Sequence, residues 1–477
     1  MLLRDPGYTD SYYFTDVATR LAAGQGLTAD FLWSPLEAPD PARLAFPIAS
    51  HLFWVPLPTA LAAVGIALLA PLVGIFTAGQ LPFLVLSALV PGAAFVAARS
   101  LGATHRAALL TATIAGMGTV LAPFLASVDA LAPAALIGTA FFLAFARAAQ
   151  GSLRAGALAG ALVGLLYLTR SEGALFGFAL LALLGSPRSR AAGAAGALVA
   201  LAIGGAWFAR DLATGVNADL FARSALLVRY EDLFAFSPEY ASGQPEFFTA
   251  KAGALATNAL TFAFTFGLVP LVALAAGLRA LRARAVVRAW GALALLVYLA
   301  QSLVWTLHST RGSYLHSLAA FFPFGLAIAA LGAEQLLASR GRDAAVAWTW
   351  GTLLVVAVLS AGAVLEVDGG LADASRTRQA ALDAIPPGPF LALDAAAWRW
   401  AAGRPVVVTP ADGQTFAGCV AAASHARSIV LEAAHFRRYD DLYNGRERWP
   451  WLGDPIVRGT VKIFPILGDM GCSERPG

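Results

Sequence analysis

The chain has 477 residues, of which 58% are hydrophobic and only 13% charged, and its mean hydropathy is +0.68. Soluble domains carry about 25% charged residues, so the composition excludes a soluble globular protein and indicates a polytopic membrane protein. The net charge of +4 comes from basic residues that are scattered and sorted by membrane side rather than gathered in one stripe, which excludes nucleic acid as a partner. Only Lys251 and Lys462 are lysines; that Arg bias, with the Ala and Gly richness, points to a GC-rich bacterial genome.

The first stretch, Pro6-Gly7-Tyr8-Thr9-Asp10-Ser11-Tyr12-Tyr13-Phe14-Thr15-Asp16, sets two carboxylates, Asp10 and Asp16, among aromatic residues. From Ser11 to Ala23 the apolar positions Tyr12, Phe14, Val17, Ala18, Leu21 and Ala22 approximate one face of a helix, which Gly24 and Gly26 would end. Asp10 then either caps that helix, with Ser11 to Phe14 as its first turn, or serves chemistry. Asp16 lies six residues along, off the face of Asp10, and reads equally well as a solvated helix position. The next apolar stretch, 52–76, is broken by Pro56, Pro58 and Pro71 and reads as an interfacial helix.

Ten apolar runs long enough to span a bilayer, or nearly so, follow at about 77–98, 106–126, 130–149, 154–169, 173–186, 191–209, 256–278, 289–307, 313–337 and 344–365. If they alternate sides from an extracytoplasmic beginning, one side receives Arg99 with Arg106, Arg147 with Arg154, Arg188 with Arg190, four Arg between 279 and 288, and Arg340 with Arg342. Every connection there carries at least two Arg, so that side is expected to be cytoplasmic. The other side receives residues 1–76, the turns at Asp129 and Arg170, the loop 210–255, the turn 308–312 and the tail from 366. Since those first 76 residues need a leader to be exported, a missing first span is expected to precede them.

No run has Asp, Glu, Lys or Arg in its interior. Asp129, Arg170, Glu172, Arg210, Asp211 and Arg311 gather instead at span ends on the extracytoplasmic side. Transporters keep ionisable groups at mid-membrane depth, so this placement favours an enzyme working at the bilayer surface. The tail reads as a small α/β unit. Its strand-like runs are 390–394, 405–409 and 427–432, its helix-like segments are 395–402 and 412–424, and Pro386-Pro387-Gly388-Pro389 opens it. Both cysteines, Cys419 and Cys472, lie there, and in an oxidising compartment they would be free to pair.

These pieces together resemble a known family. Asp-x-Tyr-Tyr at residues 10–13, then Leu21-Ala22-Ala23-Gly24-Gln25-Gly26-Leu27, is similar to the start of the first extracytoplasmic loop of the GT-C glycosyltransferases, multi-spanning enzymes related to protein O-mannosyltransferases and the lipid A aminoarabinose transferase. Residues 47–58, from Pro47 through His51 to Pro58, resemble the segment that opens the family's interfacial helix. Val128-Asp129-Ala130-Leu131 resembles the acidic turn after its third span. Tyr167-Leu168-Thr169-Arg170, Trp207-Phe208-Ala209-Arg210-Asp211 followed by Gly215, and Arg404-Pro405-Val406-Val407 resemble further family segments. Ser11 stands where relatives have Glu, and Arg170 where they have Lys.

The resemblance implies a GT-C-like polytopic helical fold with a small C-terminal α/β extracytoplasmic domain. Its expected parts are a first segment at 1–76, a membrane domain of about ten helices at 77–365 and a domain at 366–477. It also implies an inverting glycosyltransferase at the outer face of a bacterial cytoplasmic membrane. That enzyme takes a sugar from a polyprenyl-phosphate donor and gives it to a lipid, glycan or protein acceptor. The chemistry needs a carboxylate to take or orient the acceptor proton; Asp10 is the first candidate, with Asp16 and Asp129 in reserve. It also needs cations for the departing phosphate, for which Arg170 and Arg311 are candidates before Arg210. The alternative for those arginines is pairing with Glu172 and Asp211.

His308 and His316 flank Arg311, with Tyr314 between them, and bind either phosphate or a metal or sit satisfied at the interface; His51 carries the same ambiguity. The loop 210–255, with Tyr230, Glu231, Asp232, Glu239 and Tyr240, is expected to cover the acceptor site. No closed metal-ligand set stands out, and a divalent metal is left open. A non-catalytic polytopic protein, either a lipid-linked glycan transporter or an assembly scaffold, is the second reading.

Overall fold

The computed structural model describes residues 5–38, 40–214, 224–237 and 245–468. Gly215, Glu239, Tyr240 and Cys472 lie outside the described residues. The chain opens with helix α1, Thr9–Ala22, which Gly24 and Gly26 close in left-handed turns. Tyr8 is its N-cap and makes no side-chain cap bond. Asp10 therefore sits inside the first turn rather than at the N-cap, so its expected capping role is corrected, although its carboxylate accepts from its own backbone amide. Tyr12, Tyr13, Phe14, Val17 and Ala18 are all buried, because α1 lies between the membrane bundle and the tail.

Short strands β1 (Thr28–Ala29), β2 (Phe31–Leu32) and β3 (Ile48–Ala49) follow. Next come α2 (Leu57–Val73), ended by Gly74 at φ +83°, and the long α3 (Ile75–Ser100). α2 packs on α1 and α3 through Ala62, Ala63 and Ile66 and presents Leu68 and Leu72 outward, as an interfacial helix would. The bundle continues with α4 (His105–Met117), α5 (Leu131–Ala148), α6 (Leu153–Thr169), α7 (Gly177–Leu183) and α8 (Arg190–Ala213).

Beyond the 210–255 loop come α9 (Pro245–Thr265), α10 (Val269–Ala280) and α11 (Ala285–Leu303), then α12 (Thr306–Ala319), α13 (Phe322–Leu337) and α14 (Gly341–Ala381). Among the described residues, six helices are long and apolar enough to cross a membrane, or up to eight if each bent pair is one span. The ten expected runs differ from this for physical reasons. Residues 256–278 bend by 95° between α9 and α10, where Gly267 takes φ +72° and Pro270 opens the next helix. Residues 313–337 bend by 69° between α12 and α13, before Pro323. The runs 154–169 and 173–186 form two short helices either side of the break at Arg170.

Helices α6 and α8 meet backbone to backbone. A Cβ on Gly160 would lie 2.0 Å from the Gly196 carbonyl oxygen, and one on Gly156 2.2 Å from that of Ala192. Small residues permit this approach where lipid offers no hydrophobic drive. Gly160→Val is accordingly expected to cost about 1–3 kcal/mol, seen as a lower Tm in lipid. Gly205→Ala, which meets nothing within 4 Å, serves as the unchanged control.

The Arg-bearing loops gather at one end of the bundle. Arg284 donates to the Leu101 carbonyl at 2.8 Å, Arg188 to that of Gln150 at 3.1 Å, and the Thr104 amide to Glu334 at 3.1 Å. At the other end the tail folds into β4 (Phe390–Ala392), α15 (Ala395–Ala402), β5 (Val406–Val408), α16 (Gln414–Ala423) and β6 (Ser428–Leu431), then the hairpin β7 (Ile456–Arg458) and β8 (Val461–Pro465). The expected strands and helices of the tail are all present.

The sheet order is β2-β5-β4-β6-β8-β7, with β2 pairing parallel to β5 through Phe31–Val406 and Leu32–Val407. The first segment thus supplies an edge strand to the tail's sheet, and α14 runs unbroken through residue 366. The described residues form two layers, a helical bundle and a sheet unit, with α1 packed between them.

Candidate active site

A cavity of about 1020 Å³ lies where bundle, α1 and sheet unit meet. Asp10 reaches it from the first turn of α1. Asp129 comes from the turn before α5, and His316 from α12. One ligand atom from each of these three lies within 4.8 Å of the others. His316 Nε2 is 3.4 Å from Asp129 Oδ2, and its Nδ1 is 3.9 Å from Asp10 Oδ2. Asp129 is fixed further by Tyr8, whose hydroxyl donates to Oδ2 at 2.6 Å, and by the Ala130 amide, which donates to Oδ1 at 2.5 Å.

Arg170 completes this centre. Its guanidinium bonds Glu172 at 2.5 Å, His316 Nδ1 at 2.9 Å and Ser313 Oγ at 2.7 Å. Because arginine only donates, His316 Nδ1 is the acceptor, and the network assigns the ring proton to Nε2, facing Asp129. All three guanidinium nitrogens of Arg170 are thereby engaged. Its expected alternative, pairing with Glu172, is what the geometry shows.

Arg311 is placed differently. It lines the cavity in a break of α12, where Gly312 takes φ +111°; such one-turn irregularities often mark functional positions. Its guanidinium lies 4.4 Å from the Tyr230 ring centre, and it makes no ion pair among the described residues. His308, also lining the cavity, keeps a buried Nε2 with no hydrogen-bond partner among the described residues. A cation and an orphaned ring nitrogen in one cavity suit an anionic oxygen.

Burial above all, then the nearby charge of Asp129, pushes the Asp10 carboxyl up to about 8. It is neutral at lower pH and becomes a proton acceptor as the pH approaches 8, in the range a general base needs.

Four expected site residues serve elsewhere. Asp16 is buried 3.7 Å from Arg399, in a cluster that also holds the Arg20–Asp30 and Arg399–Asp30 pairs, where α1 meets the sheet unit. His51 is fully buried, between Ser50 Oγ at 3.0 Å and Thr59 Oγ1 at 2.9 Å. Desolvation pushes it down to about 3, so it is neutral. Arg210 braces that same corner, donating to the carbonyls of Ser50 and His51 and pairing with Asp211. Tyr314 is buried against Tyr298, ring centres 5.9 Å apart, away from the cavity.

Within the described part of the loop after α8, Ser224, Tyr230, Leu233 and Phe234 line the cavity. Asp412 ties it to the sheet unit by accepting from the amides of Phe236 and Ser237 at 2.7 and 2.8 Å. Tyr8, Ser313 and Gln301 belong to the site without having been legible; single hydroxyls and amides carry no pattern. An apolar flank of Trp33, Phe53, Trp54, Tyr167, Trp207 and Trp305 lines the rest.

No protein-family model matches the sequence, and no curated protein matches it either. Among solved structures the chain is similar to ArnT from Cupriavidus metallidurans. In the apo state that protein aligns with a TM-score of 0.56 at 14% identity, covering 96% of this chain and 93% of the other. Bound to undecaprenyl phosphate it aligns with a TM-score of 0.54 at 15% identity and the same coverage. The match spans both layers, bundle and sheet unit alike, and the chain therefore shares the fold of ArnT.

Proposed function

We propose that the protein transfers a glycosyl group from a polyprenyl-phosphate donor to an acceptor hydroxyl, with inversion, at the extracytoplasmic end of the bundle. The observation that carries this reading is that Asp10 and Arg311 face one cavity, beside the Asp129–His316–Arg170 network. The fold shared with ArnT, which is described bound to undecaprenyl phosphate, supports a lipid-phosphate carrier. The orientation rests on the Arg-bearing loops, which would be cytoplasmic.

In the reaction the acceptor oxygen attacks the anomeric carbon as the bond from that carbon to the phosphate oxygen breaks. Asp10 takes the acceptor's proton. The lipid phosphate leaves with the bonding electrons, and Arg311 with His308 stabilises its charge. Asp129, held by Tyr8, keeps His316 oriented. Arg170 acts through His316 and Ser313 as a positioning residue. The aromatic flank would take the first isoprene units.

The test is release of polyprenyl phosphate from a panel of polyprenyl-phosphate sugars by the protein in lipid. Release is expected from at least one donor. Its rate should climb about tenfold per pH unit below 8 and level off above, because only ionised Asp10 accepts the proton. One ligand atom each of Asp10, Asp129 and His316 also lies within 4.8 Å of the others, and a divalent cation held there would have to displace the His316 Nε2 proton or the Arg170 bond to Nδ1. Such an ion would keep Asp10 ionised and flatten that pH profile, so repeating it with added Mg²⁺, Mn²⁺ or Zn²⁺ separates the two uses of the cluster. A protein that releases nothing from any donor would be the scaffold or transporter instead.

A further inference from the structure

The sheet unit brings a second pair of carboxylates to the cavity, Asp394 and Glu432. Strand β4 sits in the middle of the parallel part of the sheet, with β5 on one flank and β6 on the other. The chain runs from β4 to β5 through α15, then crosses back to β6 through α16. The strand order therefore reverses between β4 and β6, and in open α/β sheets ligands bind outside the carboxyl ends of the strands at such a point.

Both strands end there in an acid. Asp394 stands two residues after β4 and Glu432 directly after β6, and both line the cavity. Their surroundings are polar and ordered. Thr9, the neighbour of Asp10, donates to Asp394 Oδ2 at 3.2 Å. The Trp398 indole donates to Glu432 Oε2 at 3.2 Å. Arg378, buried near the end of α14, lines the same crevice and reaches the Tyr12 hydroxyl at 3.2 Å.

Two carboxylates with free acceptor capacity and an arginine with unused donors present acceptors and donors together, a set suited to vicinal hydroxyls. Thr9 and Asp10 are consecutive in α1, so the crevice adjoins the proposed base directly. The site is too polar for the isoprene chain, and its acids disfavour phosphate.

The geometry points to the β4–β6 crevice as a saccharide subsite, in which Asp394 and Glu432 accept hydrogen bonds from sugar hydroxyls beside Asp10. The inference rests on the glycosyl-transfer reading for its place in a reaction, but it is tested without turnover. The saccharide is either the donor's glycosyl group or a sugar of the acceptor; the recognition chemistry is the same for both.

The test uses the full chain in lipid nanodiscs and a panel of free monosaccharides, with binding followed by saturation-transfer NMR. The double variant Asp394→Asn/Glu432→Gln keeps an oxygen for the Ala397 amide, which Asp394 caps at 3.3 Å, and one for the Trp398 indole. It should therefore fold; if it does not, the two single variants carry the comparison. At least one sugar should bind the wild type saturably, with its Kd raised at least tenfold in the double variant, the loss expected for hydrogen bonds to charged groups. No saturable sugar, or equal binding by both proteins, would overturn the inference.

Steady-state arms identify the source. A raised KM for the lipid-linked donor would assign the crevice to the donor's sugar, and a raised KM for the bound sugar as acceptor would assign it to the acceptor. Failure of lipid-phosphate release in the wild type would count against the transfer reading alone.

Discussion

Asp10→Asn is expected to lower polyprenyl-phosphate release by about 10²–10⁴-fold, the usual share of a general base, and to leave the fold intact. Three observations support so clean a separation. The residue caps nothing, because Tyr8 holds the N-cap position. Its side chain faces the cavity, and the hydrogen bond it accepts from its own backbone amide is one that an Asn oxygen can still accept; its nearest ion-pair contact is His316 at 3.9 Å. The substitution also relieves the repulsion from Asp129 that helps raise its proton affinity, so thermal stability should hold or rise, most visibly above pH 8. A Tm lowered by several degrees, with turnover lost in proportion, would mean that Asp10 serves the structure instead.

The second large effect is expected at Arg311. Arg311→Ala should reduce kcat/KM for the lipid-linked donor by about 10²–10³-fold, as for other donors aimed at developing negative charge. Arg311→Lys should recover part of it, since an ammonium keeps the charge but not the bidentate fork. Among the described residues the Arg311 side chain makes no hydrogen bond or ion pair and lies over the Tyr230 ring, so its loss should cost little stability. Arg170 contrasts with it. Its removal would strand Glu172, whose side chain is only 8% exposed, and such uncompensated charges cost about 3–5 kcal/mol. Arg170→Ala is therefore expected to misfold before its role in catalysis is read, and the phosphate role is better tested at 311.

The fold was legible to the extent that it follows from local pattern. Apolar runs, Arg-bearing loops and the tail's strand–helix alternation are read over ten or more residues at once; the tail's elements are present as expected, while the ten runs resolve into six helices long enough to span, or up to eight, among the described residues. What escaped was tertiary. β2 is only two residues long and joins a sheet nearly 400 residues away, so no window contains it. The bends at Gly267 and before Pro323 fall inside apolar runs whose hydropathy is uniform.

At the site, Asp10, Asp129, Arg170, Glu172, His308 and Arg311 were visible as charged or ring groups at helix ends, and the structure gathers all but the buried Asp129 in the lining of one cavity. Asp16 and Arg210 carried the same signal but are spent on packing the layers together, a difference that depends on which neighbour each meets. Asp394 and Glu432 were masked by looking like strand ends of an ordinary α/β unit. Their role depends on the strand order, which sequence spacing does not reveal.

The most direct measurement compares wild type, Asp10→Asn and Asp16→Asn in one assay of polyprenyl-phosphate release from a panel of lipid-linked sugars. Both acids are on α1, six residues apart, and only one faces the cavity. Release by wild type and Asp16→Asn, with none above background from Asp10→Asn, is the predicted result. Equal release by all three proteins would contradict the assignment of Asp10 as the base and turn attention to Asp129.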